Sequence, residues 1–275
     1  MRFEQIRFAE SMPQDVWLDA YIADPLPGYV RPAVLILPGG GYVFVCAERE
    51  GEPIAHGFLA RGYNAFVLHY SVARTRVHPA QLQQASLALA FIRAHADTFG
   101  IDPLRVFTVG FSAGGHLAGM LATMWHRPEA WQDIGLRFGE NRPTGAALIY
   151  PVVLGDSPFA HHDSFRNLLG ADAPSEASLQ SVSLEKQADE HAVPLFLFHT
   201  SDDATVDVRN SLLLAAAYRA LNKPFELHVL PHGRHGLATG DEITNGGSIE
   251  GFDERSKAWI DEAAYWMKTL KTDEQ

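Results

Sequence analysis

Short, nearly unbroken apolar runs alternate along this chain with longer segments whose apolar positions recur every three or four residues. The runs at 33–37, 65–68, 146–150 and 195–199 are almost free of polar residues. Each has the pattern of a strand buried on both faces of a parallel sheet. Further strands are predicted at 106–109 and 225–230. Between 80 and 99, Leu82, Ala85, Leu89, Ile92 and Ala96 fall on one helical face. Helices are also predicted at 52–61, ending before Gly62, and at 113–125, 208–221 and 253–270. Near the N-terminus, 3–9 has strand character. At 16–22, Val16, Leu18, Ala20 and Ile22 alternate with Trp17, Asp19 and Tyr21. With Ser11-Met12-Pro13-Gln14 as the turn, these two form an antiparallel edge hairpin.

Strands alternating with helices imply an α/β fold, a mostly parallel sheet of about eight strands with helices on both faces. We expect one domain over 1–275. Two segments interrupt the rhythm, 127–143 and 155–193. The second contains Pro158, Pro174 and the polar run 175–190, and is long for a loop. It is expected to carry some helix and either to cover the site as a small lid or to be a plain surface excursion. There is no internal repeat and no low-complexity tract.

Composition narrows the possibilities. The 275 residues are 47% hydrophobic, enough for a large core. A formal charge of −11 argues against nucleic acid and anionic membranes as partners. Cys46 is the one cysteine, so no internal disulfide forms, and it is expected to fill space near a loop. The first residues show no signal-peptide pattern, and no run approaches the ~20 apolar residues of a spanning helix. The expectation is a soluble cytoplasmic protein. A homodimer stays open, as the commonest oligomer in general.

The chemistry centres on the 106–109 strand, which runs directly into Gly110-Phe111-Ser112-Ala113-Gly114 and then into an Ala- and Leu-rich helix. A G-x-S-x-G turn between strand and helix holds its serine in a strained conformation and lifts the hydroxyl from the end of the sheet. Gly110 and Gly114 are expected where a Cβ would strike the neighbouring strand or helix. The helix N-terminus presents free N–H groups to any charge forming beside Ser112, the predicted nucleophile. A serine hydroxyl needs a base, and the base needs an anion to orient it. In this topology the acid follows a later strand and the histidine comes last. After 195–199, Asp202 and Asp203 compete. Asp203 stands where the chain turns into the next helix and can face inward; Asp202 then serves the turn or solvent. After 225–230, His232 and His235 compete. His235 lies further into the loop that must fold back over the elbow, and His232 is then a supporting residue. The pair His161-His162 lacks metal-ligand spacing. His56, His95 and His126 are expected on exposed helix faces, and His116 to pack or bond locally. Gly39-Gly40-Gly41 follows the 33–37 strand and lets backbone approach a substrate closely. The N–H groups of Gly40, Gly41 and Ala113 are the predicted oxyanion hole. A phosphate cradle would need a Lys-Ser/Thr end or G-x-G-x-x-G spacing, and neither is present.

The motifs Leu37-Pro38-Gly39-Gly40-Gly41-Tyr42, Arg49-Glu50-Gly51-Glu52-Pro53, Phe66-Val67-Leu68-His69-Tyr70-Ser71, the serine elbow through Ala118, His199-Thr200-Ser201-Asp202-Asp203 and His235-Gly236 span nearly the whole chain. In that order they resemble the α/β-hydrolases. More narrowly, they resemble the bacterial acetyl esterase/lipase group near the hormone-sensitive-lipase-like and carbohydrate-esterase branches. The resemblance implies a cofactor-independent esterase for short-chain, mainly acetyl, esters, with sugars or xylan fragments among the substrates of its relatives. It implies Ser112 as nucleophile, His235 as base and Asp203 as its orienter. Pro38 departs from the histidine of the hormone-sensitive-lipase pattern, and the region before 33–37 is too short for that family's helical cap. Both departures favour the compact acetyl-esterase branch. Arg49 and Glu50 are expected either to brace the glycine loop as an ion pair or to begin a solvated helix. Tyr42, Tyr70, Tyr150 and Phe159 are candidates to line the pocket, or else core residues. The expected partner is a small-molecule ester. Two other readings compete: an amide hydrolase or peptidase on the same scaffold, and a non-catalytic binding module.

Overall fold

Eight strands form one sheet: β1 (Arg2–Ile6), β2 (Trp17–Ile22), β3 (Arg31–Leu37), β4 (Asn64–His69), β5 (Ile101–Phe111), β6 (Ala146–Ile149), β7 (Leu195–Thr200) and β8 (Phe225–Leu230), in the spatial order β1-β2-β4-β3-β5-β6-β7-β8. This computed structural model describes residues 1–8, 12–248, 250–251 and 253–271. β1 and β2 pair antiparallel, as does β2 with β4, and the other pairs are parallel. The edge hairpin therefore forms as expected. The expected end of its first strand at Ala9, and Ser11 of its turn, lie outside the described residues.

The helices, in chain order, are α1 (Ala47–Glu50), α2 (Glu52–Leu59), α3 (Ala80–Ala94), α4 (Ala96–Phe99), α5 (Ser112–Met124), α6 (Pro128–Trp131), α7 (His162–Leu169), α8 (Glu176–Ser181), α9 (Leu184–Gln187), α10 (Arg209–Ala220) and α11 (Trp259–Thr269). The helix expected over 80–99 breaks at His95, whose φ of −104° and ψ of 24° leave the helical region. The closing helix begins as a 3-10 turn, Glu254–Ala258, where the Asp253 carboxylate accepts the Arg255 N–H.

Strand periodicity builds two cores. Ala33, Leu35 and Leu37 of β3 face one side with Leu195 and Leu197 of β7, against α3 and α5. Val34 and Ile36 face the other with Phe107, Val109, Phe196 and Phe198, against Phe58 of α2 and Trp259, Ala263 and Met267 of α11. Each large apolar side chain buried this way stabilises the fold by roughly 2 kcal/mol.

The 155–193 excursion carries α7, α8 and α9. It packs down on α5, with Phe165, Leu168, Val182 and Leu184 buried. Leu184 fits because Gly119 has no side chain: a Cβ there would lie 2.3 Å from Leu184 Cδ1. Buried Asn210 pins the excursion's start, accepting the Val153 and Leu154 N–H groups and donating to the Phe159 carbonyl.

Candidate active site

Ser112 stands at the junction of β5 and α5 with a φ of 52°. A non-glycine residue pays for that left-handed backbone, and such strain collects at functional sites. The flanking glycines make it feasible. A Cβ on Gly110 would lie 2.2 Å from the Gly114 carbonyl oxygen, and one on Gly114 would lie 2.1 Å from that of Leu37. The elbow is thus wedged between its own helix and the end of β3, as its sequence implied.

The loops after β7 and β8 reach the same point on the rim of the sheet. His235 Nε2 lies 2.8 Å from Ser112 Oγ, and His235 Nδ1 lies 2.7 Å from Asp203 Oδ2. The other Asp203 oxygen accepts the N–H groups of Thr205 and Val206, each at 2.9 Å. Burial by itself raises the Asp203 carboxyl. Hydrogen bonds from His199 and His235, the charge on His235 and the Val206 N–H outweigh it and hold the group well below the usual carboxylate range. A serine in contact with an imidazole whose far nitrogen is anchored on a buried carboxylate can pass its proton to that imidazole.

The two candidates not favoured in sequence form their own pair. His232 Nδ1 lies 3.0 Å from Asp202 Oδ2, and Asp202 also accepts the Gly233 N–H. Their side chains are 77% and 51% exposed, on the outside of the same loops.

The glycine loop lies between β3 and α1. Gly40 has a φ of 121° and Gly41 of 63°. A Cβ on Gly40 would lie 2.2 Å from the Phe44 carbonyl oxygen, so only glycine fits. The Gly40 carbonyl closes the turn by accepting the Val43 N–H. The Gly41 carbonyl accepts from Asn167 of α7, which brings the excursion's helix over this loop. Among the described residues no group of three or more His, Cys, Asp or Glu could hold a metal ion.

Sequence comparison then places the chain. The profile of the BD-FAE family matches residues 18–218.

The chain belongs to the BD-FAE family.

An endo-1,4-beta-xylanase B of Butyrivibrio fibrisolvens is 40% identical over 227 residues, which is 79% of this chain and 34% of the relative. An acetylxylan esterase of Xylanibacter ruminicola is 28% identical over 212 residues, 76% of this chain and 41% of the relative. The chain thus spans well under half the length of either curated relative. Over 97% of this chain and 96% of the other, an acetyl ester-xyloside bifunctional hydrolase from Caldicellulosiruptor lactoaceticus matches with a TM-score of 0.81 at 32% identity. The carboxylesterase Cest-2923 from Lactobacillus plantarum matches with a TM-score of 0.83 at 23% identity, a likeness of fold, covering 98% of this chain and 97% of the other. Among the described residues no helix is long and apolar enough to cross a membrane.

Several expectations change in this BD-FAE chain. Tyr42, Tyr70 and Tyr150 are each 1% exposed, so none of them presents a surface to a substrate. Their rings fill the core and their hydroxyls find partners there, as buried tyrosines require. Tyr42 Oη lies 2.9 Å from His116 Nδ1, Tyr70 donates to the Pro38 carbonyl at 2.6 Å, and Tyr150 donates to Glu50 at 2.9 Å. Phe159 is half-buried, with the Arg209 guanidinium 3.4 Å from the centre of its ring, so one ring face is taken. Arg49 and Glu50 form no ion pair with each other. Arg49 donates to the Gly236 and Thr244 carbonyls, whereas Glu50 is buried against the glycine loop. Adjacent residues on a helix point to different sides, so neighbouring charges rarely pair.

His116 bonds locally as expected, with Nε2 2.7 Å from the Val182 carbonyl oxygen, and burial lowers its pKa to about 4. His56 and His95 are exposed, but His126 is half-buried beside Asp189. His161 bonds Ser164 through Nδ1. His199 was not assigned a role in sequence. It is fully buried, with Nε2 3.4 Å from Asp203 Oδ2 and Nδ1 2.8 Å from Ser211 Oγ. Its place at the end of the apolar β7 run was the available signal.

Proposed function

We propose that this chain is a serine esterase that removes acetyl and other short acyl groups from xylan-derived sugars. The observation that carries this reading is the unbroken contact from Ser112 Oγ through His235 to buried Asp203. Support for the substrate class comes from the family and from the acetylxylan esterase and acetyl ester-xyloside hydrolase among its relatives.

Ser112 attacks the ester carbonyl as His235 Nε2 takes its proton. The Ala113 N–H at the start of α5 and the N–H groups of Gly40 and Gly41 receive the oxyanion of the tetrahedral intermediate. His235 then gives the proton to the departing sugar hydroxyl, leaving an acyl-serine. Water attacks that ester through the same base and releases the acid. Asp203 keeps the imidazole in one orientation and balances its positive charge. A cytoplasmic site of action belongs to the same proposal and is tested by cell fractionation.

Hydrolysis of p-nitrophenyl esters from acetate to decanoate, run beside acetylated xylooligosaccharides, tests the reading. The expected result is a maximum at acetate with acetate released from the sugars. A maximum at long chains with intact sugars overturns the substrate class. No turnover of any ester, with no labelling of Ser112 by a fluorophosphonate, overturns the esterase.

A further inference from the structure

Two carboxylates are buried among the described residues, Asp203 and Glu50. His235 accounts for the first. The second reaches no reacting atom, yet burying a carboxylate is costly unless its partners repay it. Glu50 closes α1, beside the glycine loop, and is 4% exposed. Its Oε2 accepts the Gly39 N–H at 2.7 Å, and its Oε1 accepts the Tyr150 hydroxyl at 2.9 Å. The Tyr150 oxygen in turn accepts the Ala238 N–H at 2.8 Å. The Tyr150 ring also stands edge-on to the His235 imidazole, with centroids 5.0 Å apart. Gly39 leads into the two N–H groups proposed to hold the oxyanion, and Ala238 follows His235 by three residues. One side chain therefore ties together the two loops whose relative position matters most.

We propose that Glu50 is a positioning residue for ester hydrolysis: through Gly39 on one side and Tyr150 on the other, it holds the oxyanion loop and the His235 loop in fixed relation. This rests on the serine-esterase reading above. The glycine loop has no side chains of its own to anchor it, so the direction of its N–H groups must be set from outside. A charged acceptor does this well, because hydrogen bonds to a carboxylate are roughly twice as strong as neutral ones. Donors fixed in advance are the ones that lower the barrier. The fold bears a cost for this arrangement. Burial pushes the Glu50 carboxyl up; the Gly39 and Tyr150 bonds and the charges of His235 and Arg49 offset only part of that. Tyr150 and Ala238 sit at φ values of 38° and 51°, further strain along the same chain of contacts.

The test separates positioning from plain structural support. Glu50→Gln keeps the size and removes the charge. Its Tm should stay within a few degrees of the wild type, because removal of a desolvated charge offsets the one donor, Gly39 N–H or Tyr150 O–H, that an amide leaves without an acceptor. Its kcat should fall about tenfold, with KM within about twofold. Tyr150→Phe cuts the same link at its other end and should lower kcat by a similar factor. The double variant should be no slower than the slower single one, since both break one strut. Glu50→Ala should lose about 100-fold. Wild-type kcat in Glu50→Gln, or additive losses in the double variant, would overturn the proposal. So would a loss of rate that only tracks a loss of Tm. If Glu50→Gln fails to fold, Tyr150→Phe with wild-type kcat overturns it alone. Ser112→Ala is measured alongside. If it is inert while Glu50→Gln is unimpaired, only the positioning role fails; if it stays active, the esterase reading fails.

Discussion

The loops after β7 and β8 meet twice, through two Asp–His pairs built from neighbouring residues. Asp202–His232 and Asp203–His235 have similar separations, 3.0 and 2.7 Å. Their surroundings are opposite. The Asp202 and His232 side chains stand in water at 51% and 77% exposure, whereas the Asp203 side chain is sealed at 0% and His235 keeps 17%. Asp202 accepts from His232 and the Gly233 N–H. Asp203 is held by two backbone N–H groups as well as His235, with His199 at its back. A hydrogen-bonded Asp–His pair is thus not in itself a proton-transfer device. In the proposed mechanism the inner pair becomes one because its carboxylate is fixed and dry and the other imidazole nitrogen lies 2.8 Å from Ser112 Oγ. On the outside, water screens the same attraction and the pair contributes little.

Substitutions at the inner pair and at the serine it meets should break this contrast most severely. Ser112→Ala and His235→Ala are each expected to lower kcat by about a million-fold while leaving the circular dichroism spectrum unchanged. Asp203→Asn keeps the shape and loses the charge; about 10⁴-fold is expected from kcat measured at neutral pH. The pH dependence of stability sharpens the point. The Asp203 carboxyl is held below the ordinary aspartate value of about 3.9, so its contribution is fully present above that pH and drains away as the pH falls below it. Urea unfolding between neutral pH and about pH 3 should show Asp203→Asn losing less stability across that range than the wild type. The outer pair gives the smallest effect. His232→Ala should keep kcat and KM within about twofold, because an exposed ion pair adds little. A hundredfold loss there would mean that the outer pair also serves the reaction.

Most of the frame was legible in the chain itself, for physical reasons. The apolar runs mark buried strands because both faces of a parallel sheet are covered. The elbow and glycine loop are written in local turn chemistry, and the inner and outer pairs could be ranked by where the chain enters α10. What the sequence left open depends on distant partners. Glu50 and Tyr150 stand 100 residues apart, and their contact follows from packing rather than from any spacing. Tyrosine at 42, 70 and 150 signals an amphipathic ring without saying whether its hydroxyl meets substrate or core. The adjacent charges Arg49 and Glu50 suggest a pair, but a one-turn helix sends them to different loops. The break at His95 had no Pro or Gly to announce it.

Cys46 is 8% exposed, and burial pushes its thiol up to about 12. A thiol so protonated reacts slowly with maleimides and with mild oxidants. Little labelling of Cys46 is therefore expected, so a reporter group placed on this chain should meet little background. A cysteine introduced at Phe44, 53% exposed beside the glycine loop, would set a fluorophore at that loop, where its emission would report whether the proposed acyl transfer alters the loop's surroundings.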